Sequence, residues 1–158
     1  GPNAPRVLAT LARLGPAQGA LQDELRRAVA AYLRARQTPD PANAEVLNQG
    51  VYAALKLGAL AEAEEAARWL LSRGETPAYL DTLAEVMNLS GRSAEALRLC
   101  DRALALAPEP APTAPPQAAA EARALRKELS ANRARYQRAR REPPAELTRE
   151  DDSLLPWE

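Results

Sequence analysis

Residues 78–108 read AYLDTLAEVMNLSGRSAEALRLCDRALALAP, and their spacing decides the fold. Leu80, Leu83, Ala84 and Met87 recur at i, i+3, i+4 and i+7, which places one apolar stripe on a helix. Ala96, Leu99, Cys100, Ala103 and Leu104 mark a second stripe of the same period. Small residues at Ala84, Ala96 and Ala103 let the two backbones approach closely. Between the stripes, Gly91 suits the left-handed residue that closes a helix, and Ser93 is expected to cap the next one. Pro108 has no amide hydrogen and ends the second helix.

Working backwards, residues 44–76 repeat this unit. Gly58 precedes Gly91 by 33 residues and Ala63 precedes Ala96 by the same step. Leu47, Gly50, Val51 and Ala54 take the first-helix places, and Ala63, Ala67 and Leu70 the second-helix places. Gly50-Val51 stands where a large-small pair is usual, and Glu75 where the closing Pro is expected. Upstream, Leu21, Leu25, Val29, Tyr32 and Leu33 line one side of a helix at 18–37. A shorter helix is expected at 4–14, ended by Gly15-Pro16, so residues 3–37 read as a degenerate hairpin. Thr38-Pro39-Asp40-Pro41 forms the turn that follows.

Working forwards, EPAPTAPPQ at 109–117 is a Pro-rich linker. A long helix is expected at 117–141, with Ala118, Ala122, Leu125, Leu129 and Tyr136 as a thin apolar stripe suited to capping an open end. Residues 142–158 are acidic and turn-rich, and a flexible tail is expected there. Its apolar Leu154-Leu155-Pro156-Trp157 has either no role or acts as a short linear motif, docking elsewhere or folding back on the chain.

The unit at 78–108, with its weaker copy at 44–76, resembles the tetratricopeptide (TPR) repeat: large-x2-large-small-x2-large, then small-x3-large, then Pro. The resemblance covers 44–108 well and 18–141 more loosely. It implies an all-α, TPR-like right-handed superhelical array of antiparallel hairpins, with repeats at 44–76 and 77–110 and a capping helix at 117–141. It further implies that the first helix of each pair lines a concave groove, and that the module holds a protein or peptide.

With Leu47, Val51 and Ala54 buried, the residues half a turn away face outward: Glu45, Asn48, Tyr52 and Leu55. The same step gives Asp81, Glu85 and Asn88. Asn48, Tyr52, Leu55, Asp81, Glu85 and Asn88 are therefore the candidate partner-binding residues. Their carboxylates, amides and one aromatic suit a basic or amide-rich extended segment. They do not resemble the Lys/Asn clamp that some TPR relatives use for a C-terminal carboxylate, because Lys56 is the one base nearby.

Composition narrows the chemistry. The chain has no His and one Cys, which removes the commonest general base, a thiolate zinc site and any internal disulfide. Seven scattered Gly build no phosphate-cradling loop. No catalytic centre, cofactor or metal is expected, and Cys100 reads as an inert core thiol. The 21 basic and 21 acidic residues balance, against a general polyanion binder. Arg133, Arg135, Arg138, Arg140 and Arg141 could contact nucleic acid or acidic lipid, but cations at a helix C-terminus also complement its dipole, and the acidic tail lies close enough to neutralise them.

Trp69 reads either as a plug against the preceding hairpin or as an exposed anchor. No apolar run reaches membrane-spanning length. Gly1-Pro2 resembles a protease-cleavage scar, so the chain reads as excised from a longer protein, and an auxiliary domain of a larger enzyme, such as a thioredoxin-like protein, is the rival function. Oligomeric state and compartment stay open.

Overall fold

The computed structural model describes residues 19–141. Six helices follow one another there: α1 (Gly19–Ala35), α2 (Pro41–Lys56), α3 (Leu60–Arg73), α4 (Pro77–Leu89), α5 (Ser93–Leu106) and α6 (Pro116–Arg141). Among the described residues there is no strand, so the fold is all-α, as expected. The helix expected at 4–14 and the acidic tail lie outside the described residues.

Helix starts follow local chemistry. Asp40 caps α2, its side chain accepting from the Ala42 amide, and Pro41 opens the helix. Thr76 caps α4, its hydroxyl accepting from the Tyr79 amide, with Pro77 as the first helical residue. The first repeat unit thus begins at Pro41, three residues before the expected start. Ser93 does not cap α5. Arg92 holds the cap position without a side-chain bond, and the Ser93 hydroxyl donates to Asn88 Oδ1 at 3.2 Å. The reason is the short turn: Gly91 at φ 77° brings the chain into the helix one residue earlier, and the Arg92 amide donates to the Met87 carbonyl. Gly58 makes the same left-handed turn at φ 71° between α2 and α3.

The expected stripes form the core. Leu47, Val51, Ala54, Ala63, Ala67, Leu70, Leu83, Ala84, Met87, Ala96 and Cys100 are buried in one cluster, joined by Val29 and Leu33 of α1. Gly50 replaces a larger residue because α1 lies against it: a Cβ there would stand 2.9 Å from Leu33 Cδ2. Leu99 is half-buried rather than core, packing against the clusters from the side.

α6 packs on α5 and reaches α4. Leu129 joins Leu80, Ala103 and Ala107 in a second cluster, and Tyr136 enters the main one. Its stripe is shifted from the expected one: Ala119 is buried and Ala118 exposed. The Arg126 guanidinium donates to the Leu104 and Ala107 carbonyls and caps the C-terminus of α5. Cys100 Sγ lies 3.2 Å from the Leu129 carbonyl and donates to it.

Candidate functional site

Helices α2, α4 and α6, each the first of its pair or the last among the described residues, share one cleft. It measures about 470 Å³ and is lined by Tyr52, Leu55 and Lys56 of α2, Asp81, Glu85 and Leu89 of α4, and Glu128, Asn132 and Arg135 of α6. These residues sit at steps of three or four, so each helix offers one face to the cleft. The contacts Asn132–Asp81 and Arg135–Glu85 show that α4 and α6 run in the same direction.

Four of the six expected residues, Tyr52, Leu55, Asp81 and Glu85, line this cleft. Asn48 does not line the cleft; it is half-buried, its Oδ1 accepting a hydrogen bond from the buried Thr82 hydroxyl at 2.6 Å. The Tyr52 hydroxyl stands 3.4 Å from the same Thr82 oxygen, so one buried threonine ties two α2 side chains to α4. Asn88 does not reach the cleft and serves the turn into α5 through Ser93.

Asp81 and Glu85 are not free surface carboxylates. Asn132 Nδ2 donates to Asp81 Oδ1 at 3.0 Å. Arg135 forks onto Glu85, Nη1 to Oε1 at 3.1 Å and Nη2 to Oε2 at 2.5 Å, and the Tyr136 hydroxyl donates to Oε2 at 2.7 Å. The Arg135 guanidinium also lies over the Tyr136 ring, its carbon 4.9 Å from the ring centre.

These contacts set the electrostatics. Burial alone would raise the Glu85 carboxyl, but hydrogen bonds from Arg135 and Tyr136 outweigh it and hold the group below its usual value. For Asp81 the balance goes the other way. Burial, with Glu128 and Glu85 nearby, raises it despite the Asn132 bond. Burial also raises the Tyr52 phenol, with Asp81, Glu85 and Glu128 adding to the shift. The cleft thus sets three carboxylates, Asp81, Glu85 and Glu128, against two cations, Lys56 and Arg135.

The α6 residues were missed by the sequence reading, which treated the helix as a cap and Lys56 as the sole nearby base. Arg135 stands in the cleft as well. The arginine cluster on α6 is also only partly a free basic face. Arg133 pairs with Asp101 of α5 at 2.6 Å and Arg135 with Glu85 of α4; the acidic tail expected to neutralise the cluster lies outside the described residues. The signal that could have found this is the pairing of acids on α4 and α5 with arginines about five turns into α6, visible only once the helices are stacked.

Trp69 is half-buried against the core. With Tyr79, Pro39, Pro41 and Arg73 it lines a second cavity of about 280 Å³ beside the α1–α2 turn, so it is neither fully buried nor fully exposed. Burial pushes the Cys100 thiol up to about 11, as expected of an inert thiol. Among the described residues no helix is long and apolar enough to cross a membrane. Comparison with family models, curated proteins and solved structures finds no match for this chain.

Proposed function

We propose that the chain is a TPR-like interaction module, a right-handed stack of antiparallel hairpins that holds an extended protein or peptide segment in the α2–α4–α6 cleft. The observation that carries this reading is the convergence of faces from three helices on one open cleft with an aromatic, a leucine pair and surplus carboxylates. A groove of this make-up offers apolar contact from Tyr52, Leu55 and Leu89 and polar direction from Asp81, Glu128 and Asn132. A basic or amide-rich segment fits it best. We read the chain as non-catalytic and without a cofactor. Nucleic acid fits the cleft poorly, because phosphates would face Asp81 and Glu128.

The test is a random-peptide display library panned against the folded chain and against a Tyr52→Ala/Leu89→Arg variant. Both positions are exposed, at 37% and 50%, so the variant should melt within a few degrees of the parent. Peptides retained by the parent and lost by the variant support the reading. Equal retention by both refutes it.

A further inference from the structure

Arg135 shows how this surface holds a guanidinium. One face stacks on Tyr136, with 4.9 Å between the guanidinium carbon and the ring centre, while the N–H fork takes the Glu85 carboxylate. One turn earlier on α4 and two turns earlier on α6, opposite Tyr52 of α2, the same kinds of group recur. Tyr52, 37% exposed, supplies an aromatic ring, and Asp81 of α4 and Glu128 of α6 supply two carboxylates to the same cleft. Among the described residues no ion pair joins Asp81 or Glu128, and Asp81 spends one oxygen on Asn132. Arg135 is committed to Glu85, and Lys56 lines the cleft without pairing there.

We infer that the cleft recognises an arginine side chain of the bound segment, its guanidinium stacked on Tyr52 and shared between Asp81 and Glu128. This rests on the groove reading and names its chemistry. Arginine suits the place better than lysine for three reasons. Its planar fork can meet two carboxylates at once, its face stacks on an aromatic ring, and it sheds water more readily than an ammonium. Bringing a cation to Asp81 also relieves the repulsion among Asp81, Glu85 and Glu128 that burial sharpens.

The experiment uses the peptides selected by the full chain in the display panel, each remade with its arginine replaced by lysine or by glutamine. Binding is read by fluorescence anisotropy against the parent, Asp81→Asn and Glu128→Gln. Asp81→Asn keeps the oxygen that accepts from Asn132, and Glu128 is exposed, so both variants should fold and their melting is measured alongside. The expected result is enrichment of arginine over lysine and a loss of about tenfold or more in affinity for arginine→glutamine and for either carboxylate variant. Peptides that depend on Tyr52 and Leu89 but ignore arginine and both carboxylate changes would overturn the inference and leave the groove reading standing. If no cleft-dependent peptide is selected, the groove reading falls and the inference with it. Contacts in the free chain between cleft amides and residues 142–158, seen by nuclear magnetic resonance, would assign the cleft to the chain's own segment and overturn the arginine partner.

Discussion

Single side chains in this fold are either core filler or electrostatic ties, and the two fail differently. Leu83 is 2% exposed in the main cluster, so Leu83→Ala should cost about 2–5 kcal/mol by chemical denaturation. A loss under about half a kcal/mol would place it outside the core. Glu85 and Asp81 differ in sign. The folded Glu85 carboxyl lies below its usual 4.5, so its contribution is present above that value and fades as pH falls through the lowered one. Glu85→Gln should therefore destabilise the chain near neutral pH, with the difference shrinking in acid. Asp81 is raised above 3.8, so ionising it costs stability as pH rises, and Asp81→Asn should stabilise the unliganded chain near neutral pH and lose that advantage in acid. The groups facing the pair are Tyr52 and Lys56 on α2, and Glu128, Asn132, Arg135 and Tyr136 on α6. Melting curves of the two variants across pH that moved in the same direction would contradict this assignment.

At the level of elements, the hairpins depend on two left-handed glycines. Nothing lies within 4 Å of a Cβ built on Gly91, so the cost of a side chain there is backbone strain at φ 77° and not collision. Gly91→Ala should cost about 1–2 kcal/mol, and Gly91→Asn less, because Asn tolerates the left-handed region. An alanine variant as stable as the parent would mean that the α4–α5 turn relaxes to another form. Gly50 has the opposite logic. It is helical, and its missing side chain makes room for Leu33 and Tyr32 of α1. The atypical glycine in the first repeat unit is thus explained by the helix packed on it, a neighbour that the repeat pattern does not encode.

For the molecule as a whole, α6 is both lid on the core and wall of the cleft. It covers Leu80, Ala103 and Ala107 through Leu129, and it carries the Arg135–Tyr136 tie to Glu85. Introducing Leu129→Asp should therefore lower the melting temperature and also weaken peptide capture, since the carboxylate would be buried among apolar groups. Removing only the tie, with Tyr136→Phe, should cost about 1–2 kcal/mol, while retaining the Arg135 fork. Unchanged stability in Leu129→Asp, measured by thermal melting, would show that α6 is dispensable to the core.

The sequence by itself determined the all-helical class, the places of the helices from α1 to α6 within a few residues, the glycine turns and most of the core. Each of these is set by contacts within one helix or across one turn, where period and residue type suffice. Four of the six residues of the outward half-turn on α2 and α4, Tyr52, Leu55, Asp81 and Glu85, were legible for the same reason. Only the tertiary structure decided what that face meets. Asp81, Glu85 and their α6 partners are about 50 residues apart in the chain, and the Pro-rich linker between them leaves their register unspecified by any local rule. Stacking α6 on α5 settles it, because burying Leu129 and Tyr136 leaves Asn132 and Arg135 one position, beside the carboxylates.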